Sequence, residues 1–295
     1  MNRKRVLCVF CFLLVVTVMG IVMNPVSAPS DLTLASARAP AISAGSAMLI
    51  DASDGTVLYE YNADKKMSPA STTKIMTAMV TLDICRELGV GLDSEILVPK
   101  EAEGVEGSSL YLKKGERVCL EELLYGLMLQ SGNDAAAALA AALGGNTENF
   151  LERMNRKSEE LGCESTHFAN PHGLYDETHY TTARELAVIA REAMKDEDFR
   201  RIAAAQKWSS DDEGEDSRNF VNKNKTVFQY KGGDGIKIGY TKASGRTLVA
   251  SATRGDISLI AVVLNDSDWF ADAYALMDFG FETLGEPEGS EENKS

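Results

Sequence analysis

Gly235-Ile-Lys-Ile-Gly-Tyr240, Thr247-Leu-Val-Ala-Ser-Ala-Thr253 and Ser258-Leu-Ile-Ala-Val-Val-Leu-Asn265 are three strand-like runs separated by Ala243-Ser-Gly245 and Arg254-Gly-Asp256. Short runs rich in β-branched residues and closed by glycine-bearing turns read as strands, and turns this short join antiparallel neighbours. The spacing predicts a three-stranded meander followed by a helix over residues 269–276. Near the other end, residues 46–50 and 56–61 flank Asp51-Ala-Ser-Asp-Gly55, whose Asp-Gly pair marks a hairpin. Between hairpin and meander the apolar periodicity is helical, over residues 71–88, 120–130, 134–143, 147–161 and 182–195. The first of these is apolar on most faces, as in a helix buried at the centre of a domain, and Pro69 disfavours an earlier start. The expectation is an α+β fold. One antiparallel sheet, flanked by helices, has its first and last strands adjacent, and a helical lobe is inserted between them. The cleft between sheet and lobe is the expected site.

Composition narrows the function classes. The 295 residues are 44% hydrophobic and 25% charged, as in a soluble enzyme. With 30 basic against 44 acidic residues, a formal charge of −14 gives no general attraction to a phosphate backbone, so no nucleic-acid partner is expected. Arg3, Lys4 and Arg5 precede an apolar run from Val6 to Met23 and a stretch with small residues at Ala28, Ala35, Ala37 and Ala39. This is the pattern of an export signal, either cleaved or retained as an anchor, and it places the remainder outside the cytoplasm. Cleavage after Ala37 removes three basic residues and one acidic residue from the total of −14, leaving −16. The reading gives residues 1–37 as signal peptide or anchor, 38–284 as one catalytic domain and 285–295 as an acidic tail. Any membrane attachment is expected through the N-terminal segment alone.

The mature region holds Cys85, Cys119 and Cys163, with no CxxC spacing. Small buried hydrophobes in helical surroundings are the first reading, one disulfide plus a free thiol the second. His167, His172 and His179 lack a helical i, i+4 pair, and the acidic run 211–216 lacks EF-hand spacing, so no metal is expected. His172, in Asn170-Pro-His-Gly173, reads as a structural turn residue.

Ser71-Thr-Thr-Lys74 places a hydroxyl and an amine three residues apart at a helix start, on one face. Serine is a weak nucleophile until a base takes its proton, and a lysine serves once burial or neighbouring cations lower its pKa. Taken alone, the tetrad reads as a capped helix with a solvated lysine. Ser131-Gly-Asn133 breaks an apolar helical stretch and can present two polar side chains to a cleft, or simply turn the chain with Asp134 as a cap. Lys237-Ile-Gly239 lies on the first meander strand, where a lysine supplies a point charge and a glycine allows close approach.

In this order, Ser-x-x-Lys, Ser-x-Asn and Lys-x-Gly resemble the penicillin-binding protein and serine β-lactamase superfamily. Within it the chain is most similar to the low-molecular-mass D-alanyl-D-alanine carboxypeptidases. The supporting stretches are Pro69-Ala-Ser-Thr-Thr-Lys74, Gly107-Ser-Ser109, Ser131-Gly-Asn-Asp-Ala-Ala136, Asn170-Pro-His-Gly-Leu174, Asn222-Lys-Asn224, Asp234-Gly-Ile-Lys-Ile-Gly-Tyr-Thr241 and Leu248-Val-Ala-Ser-Ala-Thr253. The resemblance implies a β-lactamase/transpeptidase-like fold and a penicillin-sensitive serine carboxypeptidase that removes the terminal D-Ala from peptidoglycan stem peptides, without a cofactor. It casts Ser71 as nucleophile, Lys74 as its base and Ser131 as proton relay. Asn133 would bind the substrate amide, Lys237 and Gly239 would line the carboxylate end, and the N–H groups of Ser71 and Tyr240 would form the oxyanion hole. β-Lactams would acylate Ser71 as inhibitors.

Two departures stand out. The family's Lys-Thr-Gly has Ile238 at its centre here, and the late arginine that supports the carboxylate in many members is missing, since only Lys294 is basic after Arg254. They motivate an alternative, a catalytically impaired protein that binds wall peptide without efficient turnover. A class A-type β-lactamase would need a Glu-x-x-Leu-Asn deacylation motif, and the sequence has none.

Overall fold

A computed structural model describes residues 39–210 and 217–285. The expected signal or anchor, the acidic run 211–216 and the tail from residue 286 onward lie outside the described residues.

β1 (Ser46–Asp51) and β2 (Val57–Tyr61) form the expected hairpin. A 3-10 turn, Ala70–Thr73, leads into α1 (Lys74–Leu88). β3 (Glu95–Leu97) and β4 (Arg117–Cys119) make a small ribbon ahead of α2 (Leu120–Tyr125), which widens into a π-turn, Gly126–Gln130. The lobe continues through α3 (Asn133–Leu143), α4 (Thr147–Glu160), α5 (Ala183–Ala193) and α6 (Glu197–Ala204). After it come the ribbon of β5 (Lys207–Ser209) and β6 (Asn219–Val221) and the single turn α7 (Thr226–Gln229). The meander is β7 (Gly233–Thr241), β8 (Gly245–Arg254) and β9 (Ile257–Leu264), closed by α8 (Trp269–Thr283).

The five-stranded sheet is antiparallel, in the order β2-β1-β9-β8-β7. First and last strands meet as expected, with Met48 of β1 opposite Val262 of β9. The period-two pleat divides the apolar residues between two layers. Met48, Ile50, Val249, Ile260 and Val262 face the helical lobe, where Ile75, Met76, Leu82 and Ile84 of α1 are buried. Leu49, Leu248, Ala250, Ala261 and Val263 pack on the other side against Ala273, Leu276, Met277 and Phe281 of α8. β7 is left as an edge strand lying against the Ala70–Thr73 turn, so the sheet edge and the start of the buried helix meet. Among the described residues no helix is long and apolar enough to cross a membrane.

Several elements exceed the sequence reading. α6 has only eight residues, yet Asp196 caps it by accepting from the Phe199 N–H at 3.0 Å, and Phe199, Ile202 and Ala203 are buried. The ribbon strands are three residues each, too short for any period to show. α8 runs on past residue 276 because Met277, Gly280 and Phe281 are buried against the sheet.

The cysteine reading needs correction in part. All three are free thiols, which removes the disulfide option. Cys85 is helical and buried as expected, but Cys163 follows α4, and Cys119 ends β4 and caps α2, its sulfur accepting from the Glu122 N–H at 3.4 Å. Burial pushes the Cys163 thiol up to about 12, so it is inert.

Candidate active site

The turn Ala70–Thr73 and the first residue of α1 carry the Ser71–Lys74 pair. Ser71 is half-buried, whereas Lys74 is 0% exposed. A capped helix with a solvated lysine is therefore not what forms. The Lys74 ammonium donates to Ser71 Oγ at 3.1 Å, to Asn133 Oδ1 at 2.7 Å and to the His172 carbonyl at 2.7 Å. Three donors meet three acceptors, so the side chain is held in one place. Burial, then the charge of Lys237, then that of Lys223 pull the Lys74 pKa well below its ordinary value, with Asp134 opposing.

The π-turn delivers the second motif. Ser131 closes it with φ +64°, in the left-handed region, and is buried together with Asn133 at the start of α3. The Asn133 carboxamide is engaged at both ends, accepting from Lys74 and donating to the Glu106 carbonyl at 2.6 Å. Among the described residues the hydrogen bonds of Lys74 do not include the hydroxyl of Ser131, the expected proton relay. Asp134, first read as a turn cap, is almost wholly buried. Its carboxylate accepts from the N–H groups of Leu110, Leu112 and Ala135 and from the Ser109 hydroxyl, fixing the 106–112 loop whose Glu106 carbonyl holds Asn133.

The third motif comes from β7. Lys237 is 1% exposed and donates to the Ile238 carbonyl at 3.1 Å; burial and then Lys223 pull its pKa down to about 7. Lys237 pairs with Val249 and faces the lobe, whereas Ile238 pairs with Leu248 and packs on the α8 layer. Ile238 thus joins the smaller core, as a strand residue should. Gly239 lies against the nucleophile's turn, where an added Cβ would stand 2.7 Å from the Ser71 nitrogen and 3.0 Å from the Ala70 Cβ. The close approach that the glycine allows is first of all that of the protein's own turn. Tyr240 follows at the strand's open edge, 62% exposed.

Two contributors escaped the sequence reading. Lys223 donates to the Gln130 carbonyl at 2.7 Å and adds a third cation beside Lys74 and Lys237; it stood in the quoted Asn222-Lys-Asn224 stretch, but nothing there assigned it a charge role. The His172 carbonyl holds Lys74, and a backbone acceptor leaves no mark in a sequence. No group of three metal-ligating side chains occurs among the described residues.

A serine and a desolvated lysine under a sheet edge, with two further lysines beside them, invite comparison with known proteins. The D-alanyl-D-alanine carboxypeptidase family matches residues 33–268. The chain belongs to this family. It is 34% identical over 241 residues to D-alanyl-D-alanine carboxypeptidase DacF of Bacillus subtilis and 35% identical over 257 residues to DacC of Escherichia coli. Those matches cover 81% and 83% of the chain but 62% of each relative, so the chain spans less than two thirds of their length. Among solved structures it resembles the Streptomyces K15 DD-transpeptidase, with TM-score 0.76 and 31% identity over 83% of this chain and 99% of that one. Penicillin-binding protein 6B of Escherichia coli gives TM-score 0.76 and 32% identity over 83% of this chain and 79% of that one. These neighbours share the mixed helical and antiparallel architecture, so the expected transpeptidase-like fold is borne out.

Proposed function

We propose that the protein is a penicillin-sensitive serine D-alanyl-D-alanine carboxypeptidase, working outside the cytoplasm on peptidoglycan stem peptides. The observation that carries this reading is the 3.1 Å contact between Lys74 Nζ and Ser71 Oγ in a site where Lys74 is wholly buried. Neutral Lys74 takes the Ser71 proton as Oγ attacks the carbonyl between the two terminal D-alanines. The C–N bond then breaks, D-alanine leaves with a proton returned through Lys74 and Ser131, and water hydrolyses the acyl-serine.

The sheet edge sets the direction of the substrate. An extended peptide adding antiparallel to β7 puts its C-terminal carboxylate at the Lys237 end and its N-terminal part past Tyr240. Lys237, supported by Lys223, meets the carboxylate, which stands in for the missing late arginine. The N–H groups of Ser71 and Tyr240 receive the oxyanion. Asn133 holds Lys74 and offers its amide to the substrate. Ile238 packs away from this assembly, so its missing hydroxyl does not favour the impaired alternative.

The test is D-alanine release from diacetyl-Lys-D-Ala-D-Ala by the purified protein beside a Ser71→Ala control. Release by the wild type alone is expected; equal release from both overturns the reading. Rapid turnover of penicillin would replace it with a β-lactamase.

A further inference from the structure

We propose that His179 is a positioning residue for the Ser71–Lys74 pair, acting through Thr73 on the nucleophile's turn and through the 169–174 loop on the lysine. The proposal rests on the carboxypeptidase reading above but concerns a residue that touches neither substrate nor the reacting atoms.

His179 is 2% exposed and lies two residues before the bridge of Thr181 to Met67, its ring edge-on to Phe168 at 5.8 Å. The Ala169 N–H donates to its Nδ1 at 3.0 Å, so Nδ1 carries no proton and the proton is on Nε2. Nε2 lies 2.8 Å from Thr73 Oγ1 and donates to it. The Thr73 hydroxyl proton then goes to the Ala70 carbonyl at 2.7 Å. The three bonds run in one direction, and each group has the role the next one requires. An imidazolium would set N–H against N–H at Ala169; burial accordingly pulls the His179 pKa down to about 4 and keeps the ring neutral.

Both ends of this chain of bonds reach the chemistry. Ala70 precedes Ser71 and holds φ +48°, a left-handed conformation costly for a residue with a Cβ. The Thr73 bond secures its carbonyl, and Gly173, also with positive φ, lets the loop close onto it; an added Cβ there would overlap the Ala70 carbonyl carbon at 2.4 Å. At the other end Ala169 leads into Asn170-Pro-His-Gly173, where Asn170 Oδ1 accepts from the Gly173 N–H at 2.7 Å and the His172 carbonyl accepts from Lys74. Fixing the His179 ring therefore fixes the aim of Ser71 and one of the three acceptors that hold Lys74.

The test compares four variants by the rate of acylation with a fluorescent penicillin, separating non-covalent affinity from the acylation step, with melting temperature recorded alongside. His179→Phe keeps the ring and loses both bonds; it should lower the acylation step on the order of tenfold to a hundredfold while affinity stays within twofold. His179→Gln retains a donor toward Thr73 and should recover most of that loss. Thr73→Val should fall as far as His179→Phe, and the double variant no further, because all three break one chain of bonds. A folded His179→Phe that acylates within twofold of wild type overturns the proposal, as do losses that multiply in the double variant. Should His179→Phe not fold, Gln against Asn decides: equal rates overturn the proposal, because Asn keeps only the acceptor toward Ala169. Labelling that survives Ser71→Ala would instead sink the carboxypeptidase reading, so the two failures are told apart.

Discussion

Gly239 lies so close to Ser71 that a Cβ on the glycine would stand 2.7 Å from the Ser71 nitrogen. It would also meet Thr247 Oγ1 at 2.5 Å, and that hydroxyl donates to the Pro69 carbonyl of the same turn. The sheet edge and the nucleophile are thus held in register by an absent side chain. Gly239→Ala is expected to cost about 1–3 kcal/mol through overpacking and to lower penicillin acylation at least tenfold by moving Ser71. A melt and a labelling time course check this; unchanged labelling would show that the turn is free to move.

Lys237 gives a prediction with a definite sign. Its pKa is pulled from 10.5 to about 7 in the fold, first by burial and then by Lys223. Below about pH 7 the folded protein carries a buried charge, and between there and 10.5 the unfolded chain holds the extra proton, so stability climbs with pH across that window. Lys237→Met removes both the buried charge and this dependence. Its melting temperature should exceed the wild type's at pH 6 and the gap should narrow by pH 9, while acylation falls at least tenfold for want of the carboxylate's partner. A gap that widens with pH would contradict the assignment.

The meander and hairpin were legible because turn residues and period-two runs are local signals, and the pairing of first and last strands followed from topology. Ser71, Lys74 and Asn133 were legible as a motif, and two hydrogen bonds join them through Lys74. What stayed hidden was non-local. The His172 carbonyl matters through its backbone, Lys223 through its distance from two other lysines, and Asp134 through a loop some 24 residues earlier that takes up its oxygens. Gly239 is legible as a place of close approach, but not that the nucleophile's own turn is what comes close. In each case the partner lies on another element, and spacing along the chain does not encode it.

Asp134 should weigh more on stability than a turn cap would. Asp134→Ala leaves the buried N–H groups of Leu110 and Leu112 without their acceptor. The cost is expected at about 2–4 kcal/mol, a fall of roughly 5–15 °C in melting temperature for a domain of this size. Asp134→Asn keeps one acceptor oxygen and should lose about half as much. Because Asp134 opposes the depression of the Lys74 pKa, the Asn variant should also begin to acylate at lower pH than wild type. Thermal melts and a pH series separate the two effects.

Lys223 acts on both buried lysines without belonging to any of the three motifs. Its charge helps to lower the pKa of Lys74 and of Lys237, in each case behind burial. Acylation needs Lys74 neutral and Lys237 charged, so the rate should rise with pH as Lys74 loses its proton and fall again as Lys237 loses its own. Lys223→Met raises both pKa values, and the whole profile should move to higher pH. On the rising, acid limb set by Lys74 the rate at a given pH is expected to drop about threefold to tenfold, recovering as pH is raised. Lys223→Arg keeps the charge and should leave the profile in place. Should the Met variant show a profile lowered evenly at every pH, Lys223 would be contacting the substrate or supporting the fold rather than setting the charge of its neighbours.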